Sequence, residues 1–282
     1  MAVAQAVGFS NDQTSSTITI PLSATGAGNS LIVMFANYIS TKHGTSLVAG
    51  SGTSSAADFT DTDSNDNFLL SYWSLLGIAG GLTSAVLHMS TSAFVAGILI
   101  EESGLATSSA FDQSQFNYQT GAVIWTSNNT PTTTQASEIA YGMAMVPAVV
   151  TGASYGTLGS GWSIFTGSGL TAGVSSETTA GVSVLGIRQV LTSTGAYAAN
   201  GGVGNTATND SYAVTVGTYK TGSAGTAITP STGAVALAGA APSMNLGITP
   251  RTARKAWEYT KGLLVPSRKI FLPPRPALSW EG

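Results

Sequence analysis

The hydrophobic and polar positions of this chain follow the patterns of β-strands. Residues 16–23 (STITIPLS) alternate apolar and hydroxyl side chains, which is the period of a half-buried strand. Residues 30–39 (SLIVMFANYI) form a continuous apolar run after a glycine-rich turn, which predicts a strand buried on both faces. Further runs that predict strands lie at 68–76, 85–90, 94–103, 138–150, 162–167, 181–191 and 211–220.

The spacing of these runs predicts an all-β fold. Strands at roughly ten-residue spacing, separated by Gly, Ser and Asn clusters, are typical of an antiparallel two-sheet sandwich. The chain also contains a faint internal repeat, since residues 16–36 resemble 128–145 and residues 80–103 resemble 193–220. We therefore expect two pseudo-repeated halves that form one jelly-roll-like sandwich over residues 1–222, with no helical periodicity before Thr249.

The C-terminal region has a different character. Residues 223–248 are rich in small side chains and predict a linker, with room for one edge strand. Residues 249–282 predict an extended arm that contains a short helix at 249–262, which begins at the capping Thr249 and ends at Gly262. Beyond this helix, closely spaced prolines exclude any regular helix.

The arm also carries most of the positive charge, although only 8% of all residues are charged. Residues 1–250 contain eleven acids and three bases, a net charge of −8, whereas residues 251–282 contain seven bases and two acids, a net charge of +5. A basic arm on an acidic body predicts an acidic partner surface, including that of a neighbouring copy. The residues expected to bind this partner are Arg251, Arg254, Trp257, Lys261, Arg268, Lys269, Ile270, Phe271, Leu272, Arg275 and Trp280.

Other classes of protein fit the sequence poorly. The chain has no cysteine, so disulfides and thiolate metal sites are excluded, and we expect no cofactor. The N-terminus lacks the charged and apolar regions of a signal peptide, and no apolar run reaches the roughly 20 residues of a membrane span. We therefore expect a protein made in a cytoplasm, without a membrane partner.

One acidic segment invites comparison with a calcium loop. Asp61, Asp63 and Asn65 occupy alternate positions, as calcium ligands do at the start of such a loop. The later positions depart from that pattern, because Asp66 replaces the required glycine and Tyr72 replaces the bidentate glutamate. We interpret the segment as an Asx-rich hairpin turn, with weak calcium binding as the alternative.

Catalytic patterns are absent from the sequence. Glu101 and Glu102 are adjacent at the end of a predicted strand, where neighbouring side chains point to opposite faces and cannot act as a facing acid/base pair. His43 and His88 are isolated, and no nucleophile elbow or phosphate-binding loop occurs. We therefore predict that the chain is not an enzyme.

Glycan binding is a further hypothesis, because sandwich folds bind sugars through exposed aromatic rings. The candidates are Tyr72, Trp73, Trp125, Tyr155 and Trp162. Aromatic residues on strands more often belong to the core, so this hypothesis requires that their rings be exposed.

The order of these signals resembles a β-sandwich module of tailed-bacteriophage structural proteins, of the minor tail or capsid-decoration type, and of some bacterial surface proteins. The resemblance is carried by the start MAVAQAVGFS, the strand pair STITIPLSATGAGNSLIVMFA, the turn FTDTDSNDNF, and the segments FVAGILIEESGL, GSGW and YAVTVGTYK. It covers residues 1–220 and implies a structural or adhesive role in a virion. It does not extend to the arm.

Three functional hypotheses follow. The first is a virion structural protein whose arm anchors it to other virion proteins, including copies of itself. The second is a glycan-binding adhesin module for attachment to a host surface. The third is a nucleic-acid-binding protein that uses the basic arm, which the acidic body disfavours because such proteins usually present a basic face.

Overall fold

The computed structural model describes residues 1–38, 41–63, 68–120, 124–150, 155–179, 181–202 and 211–222. All of them belong to one compact unit, Met1–Ala227. The predicted linker at 223–248 and the predicted arm at 249–282 lie outside the described residues. In the described part of the chain, no helix has the length and hydropathy to cross a membrane.

Antiparallel strands account for the regular structure of the described residues. In chain order the strands are β1 (Val3–Asp12), β2 (Thr17–Pro21), β3 (Ser30–Asn37), β4 (Gly44–Ala49), β5 (Gly52–Ser54), β6 (Phe59–Asp63), β7 (Phe68–Leu75), β8 (Ser84–Met89), β9 (Phe94–Glu102), β10 (Phe111–Thr120), β11 (Ile124–Thr126), β12 (Glu138–Val146), β13 (Ser163–Ile164), β14 (Val174–Glu177), β15 (Val182–Leu191), β16 (Asn200–Gly202) and β17 (Ser211–Lys220). β12 is shorter than the predicted run at 138–150 because Pro147, which directly follows it, has no N–H to donate to a ladder.

The strand order repeats between the two halves of the body. The first central sheet has the order β1-β9-β3-β7-β6, and the second central sheet has the order β10-β17-β12-β15-β13, with β14 also paired to β15. In each sheet the first long strand of the half lies beside the last one, followed by the second and the third. The predicted antiparallel sandwich of two pseudo-repeated halves is therefore confirmed.

The central core lies between the two central sheets. Ile32, Met34 and Ile98 of the first sheet pack in one buried cluster with Tyr141 and Met143 of the second sheet. The side chains from the first sheet stand at even sequence positions and those from the second at odd positions, as the period of two requires. This shared cluster joins the two halves into one sandwich.

Each central sheet is also covered on its other face, which the sequence analysis did not predict. The outer sheet, with the order β2-β8-β4-β5, covers the first central sheet and packs Ile20 and Leu87 against Val33 and Leu99. The two-stranded outer ribbon β11-β16 and nearby loops cover the second central sheet around Trp125. Burial on both faces explains why β3, β7 and β12 read as continuous apolar runs rather than as alternating ones.

A close backbone contact links the edge strand β1 to the second half. The Gly8 N–H donates to the Ser168 carbonyl at 2.7 Å, within a parallel bridge between Val7 and Ser168. A Cβ atom on Gly167 would lie 1.8 Å from the Ala6 carbonyl oxygen. Glycine is required at this position because the loop runs directly against the backbone of β1.

Candidate functional site

The aromatic residues proposed to bind glycans are buried, so that hypothesis is wrong for these side chains. Their exposed fractions range from 0% for Tyr72 and Trp125 to 9% for Trp162, with Trp73 and Tyr155 between these values. Their polar atoms are hydrogen-bonded internally. Trp125 Nε1 donates to the Tyr155 carbonyl at 2.9 Å, and Trp162 Nε1 donates to the Ala198 carbonyl at 3.1 Å. These rings fill the core because β-strand aromatics bury a large apolar area, and they offer no face to a sugar.

The acidic segment belongs to a hairpin, but Asp61 and Asp63 lie in strand β6 rather than in the predicted turn. β6 and β7 pair antiparallel with Asp63 opposite Phe68, so residues 64–67, including Asn65, form the connection and lie outside the described residues. Asp61 lies within β6, where its Oδ1 atom accepts the Thr62 N–H at 2.7 Å. Among the described residues, no group of three His, Cys, Asp or Glu side chains is placed to hold a metal ion. The calcium alternative therefore has no ligand set in the described residues.

Glu101 and Glu102 point to opposite faces of β9, as predicted, and each makes polar contacts. Glu101 accepts hydrogen bonds from Gln5 Nε2 at 2.6 Å, from Asn29 Nδ2 at 2.5 Å and from the Gly26 N–H at 2.7 Å. All three donors belong to the first half. Glu101 thus fastens the turn before β3 to the end of β9.

Glu102 instead joins the two halves. Its two carboxylate oxygens accept from Arg188 Nε and Nη2, each at 2.9 Å, and Oε2 also accepts from the Tyr141 hydroxyl at 3.1 Å. The Glu102 side chain is fully buried, and the Arg188 side chain is 14% exposed. Burial, followed by the charge of Glu102, raises the pKa of Tyr141 well above its ordinary value, so the hydroxyl keeps its proton and donates.

A second carboxylate cluster lies where the body ends. Lys220 Nζ lies 3.0 Å from Asp112 Oδ1, and both the N–H and the hydroxyl of Thr134 donate to Asp112 at 2.6 Å. Burial raises the pKa of Asp112, but these hydrogen bonds outweigh it and the net pKa is lowered. The neighbouring Glu138 is buried, and its Oε2 atom accepts no hydrogen bond from the described residues. Burial first, and then the hydrogen bond with Asp112, raise the pKa of Glu138 to about 7.

The raised pKa of Glu138 predicts a pH-dependent stability. Between about pH 4.5 and 7 the folded body holds a proton that the unfolded chain has released, so the free energy of unfolding falls as pH rises through this window. In Glu138→Gln, the neutral amide should flatten this fall and leave the variant at least as stable as the parent at pH 8. Urea midpoints measured from pH 4.5 to 8 test this. Asp12→Asn, at an exposed position, controls for the loss of one charge, and an unchanged slope in Glu138→Gln would contradict the assignment.

The open edge of the first central sheet is the candidate site for a partner. In the described part of the chain, β6 pairs with β7 on one side and with no strand on the other. Phe59 faces the core, with its ring centroid 6.2 Å from that of Tyr72, whereas Thr60 and Thr62 are exposed. Because the Thr62 N–H donates to the side chain of Asp61, we infer that it points to the free edge. Such an edge can pair with an added strand.

A groove adjoins this edge. It has a volume of about 450 Å³ and is lined by His43, Ala56, Ala57, Thr60 and Trp73, together with neighbouring backbone. Gly44 lies directly over the Trp73 ring, since a Cβ at this position would come within 2.9 Å of it. The groove is therefore lined mainly by small and polar side chains, with the Trp73 ring almost fully buried beneath Gly44, and it lies next to the outer edge of β6.

Sequence reasoning read this segment as a turn and missed the edge. The sequence carries little signal for this strand, because Phe59 is its one apolar residue and aspartate is uncommon in strands. The predicted partner-binding residues of the arm, from Arg251 to Trp280, lie outside the described residues. The outer edge of β6 is thus the candidate surface in the described residues.

Comparison with known proteins identifies no relative of this chain. No protein-family model, curated protein or solved structure matches this chain.

Proposed function

We propose that this chain is a non-enzymatic structural protein of a tailed-bacteriophage virion, of the minor tail, fibre or capsid-decoration type. Its body is the stable β-sandwich, and its C-terminal arm anchors that body to neighbouring subunits. The resemblance of residues 1–220 to virion modules supports the viral context. The contrast between the acidic body and the basic arm supports the anchoring role.

The observation that carries this proposal is a core built from residues that precede the arm. The three buried clusters draw their members from Ala6 to Tyr219. Within the described residues, the body therefore has a large apolar core of its own. We assign Trp257, Phe271 and Trp280 of the arm to the contact with a partner, and each large apolar side chain contributes about 1.5–3 kcal/mol when fully buried, before ordering costs.

Charge makes a smaller contribution than the formal value of −8 suggests. Glu101, Glu102, Glu138 and Glu177 are all buried. Within the described residues, the acids that reach the surface include Asp12 and Asp61. Electrostatic attraction can still speed the approach of the basic arm, but apolar burial must supply most of the affinity.

The burial of the five aromatic rings removes the observation that favoured a glycan-binding adhesin. An assembly role therefore remains the function that the body and the arm together support best.

Deletion of residues 249–282 tests the proposal. The shortened chain should remain folded and soluble, but it should no longer self-associate or sediment with virions. Replacing all seven arm bases with Gln, at positions 251, 254, 255, 261, 268, 269 and 275, should slow attachment and reduce its salt dependence without abolishing it. Sedimentation velocity and co-sedimentation of tagged chains measure both effects. If the shortened chain associates like the intact one, the arm is not the anchor.

A further inference from the structure

We propose that residues 267–272 of one copy add as an extra strand to the open edge of β6 in a neighbouring copy, with an apolar side chain seated in the adjoining groove. This inference rests on the proposed function, because it names the surface on which the arm acts.

The first argument is the fit of the arm sequence to a strand. Residues 267–272 (SRKIFL) lie between Pro266 and Pro273, and no proline interrupts them. The two prolines limit a strand to about the length of β6, which has five residues. Prolines at the ends of a strand are tolerated at the edge of a sheet, because an edge strand needs ladder hydrogen bonds on one side only. An edge position is what β6 offers.

The second argument is the surface itself. A strand added beside β6 would satisfy its free main-chain groups, including the Thr62 N–H that now donates to Asp61. Neighbouring residues of an added strand point to opposite faces, so one of Ile270 and Phe271 would face the side on which Thr60 and Thr62 are exposed. The groove over Trp73 lies on that side and includes Thr60 in its wall. The groove is open to solvent, so a side chain from an added strand can reach it.

The third argument is charge. β6 contains Asp61 and Asp63 and no base. The docking segment carries Arg268 and Lys269, with Arg275 close behind. Opposite charges on the two strands favour this pairing over the pairing of two β6 edges with each other.

Disulfide cross-linking tests the pairing directly, because the chain has no native cysteine. One protein carries Thr62→Cys, and a second carries a single cysteine at one position from 267 to 272. Mixed in the otherwise intact chain, they should form cross-copy dimers whose yield alternates with a period of two residues along the arm. Thr62→Cys alone measures the background. Uniform or absent cross-linking would overturn the proposal. So would a cross-link that forms only within one chain when both cysteines are present, because the arm would then bind its own body.

A second measurement tests the backbone N–H of Thr62, which now donates to the side chain of Asp61. Thr62→Pro removes this donor, whereas Thr62→Val keeps it and preserves the side-chain shape. We expect Thr62→Pro to weaken self-association about tenfold or more, and Thr62→Val to leave it nearly unchanged. Ala56→Trp, which fills the groove from an exposed position, should weaken association without touching the edge.

These results separate the inference from the proposed function. If deletion of residues 249–282 abolishes association while Thr62→Pro and Ala56→Trp do not weaken it, the arm is the anchor but binds elsewhere, and this inference is overturned. If the deletion has no effect, both fail.

Discussion

Arg188→Met is expected to destabilise the folded body by about 3–5 kcal/mol. In the parent, two hydrogen bonds from the guanidinium neutralise Glu102, whose side chain is fully buried. Methionine fills similar space but leaves the carboxylate buried and unpaired at the junction of the two central sheets. Urea unfolding followed by the fluorescence of the buried tryptophans measures the change.

A matched double variant identifies the cause of this loss. Glu102→Gln combined with Arg188→Met removes both charges, while the glutamine oxygen can still accept from the Tyr141 hydroxyl. The double variant should recover a large part of the lost stability, because the cost arises from an unpaired buried charge rather than from lost packing. If the double variant is no more stable than Arg188→Met alone, lost packing explains the effect and the ion pair does not.

This ion pair also shows what the sequence could and could not predict. The separation of Glu101 and Glu102 onto opposite faces follows from the period of a strand and was predicted. The partner of Glu102 was not, because Arg188 lies 86 positions away in a different half. The one local signal was Arg188 itself, an arginine within the largely apolar run at 181–191. This signal does not indicate which carboxylate pairs with the arginine.

The strands that were missed have a common physical cause. β10 (FDQSQFNYQT) shows no regular alternation, yet Phe111, Phe116 and Tyr118 all pack against the central core. A register shift between Phe111 and Ser114 lets residues of odd and even number face the same side. β1 contains a similar shift between Val3 and Gln5. Irregularities of this kind hide a strand from any search for a strict period of two.

The two outer layers, the sheet β2-β8-β4-β5 and the ribbon β11-β16, were also not predicted from the sequence. The prediction of a strand buried on both faces at 30–39 required something to cover each face, and β3 is indeed buried along its whole length. The chain covers it with the short strands β2, β4, β5 and β8, of which β4 and β5 are too polar or too short to be recognised. The runs of β2 and β8 were predicted as strands, but their assembly with β4 and β5 into a separate covering sheet was not.

Gly167→Ala is expected to open the contact between β1 and the second half and to destabilise the body by about 1–3 kcal/mol or more. The added methyl would lie 1.8 Å from the Ala6 carbonyl oxygen and 2.7 Å from its carbon. Both are backbone atoms of a paired strand, so neither can rotate away as a flexible side chain could. The loop must instead move off β1, which breaks the hydrogen bond from the Gly8 N–H to the Ser168 carbonyl.

Two measurements and one control make this expectation specific. The urea midpoint should fall, and the Gly8 amide should exchange its hydrogen faster in the variant, because its acceptor has moved away. Gly202→Ala makes the same chemical change where the nearest atoms of the described residues lie 3.8 Å away, so it should be nearly neutral. If the two variants are equally stable, the loop around Gly167 moves without a loss of stability, and the contact does not hold β1 in place. If Gly167→Ala is destabilised but Gly8 exchange is unchanged, the cost arises elsewhere in the loop. The expected outcome, a lower midpoint with faster exchange at Gly8, would show that this glycine contact fastens the exposed edge strand of the first half to the second and so keeps β1 from pairing with other chains.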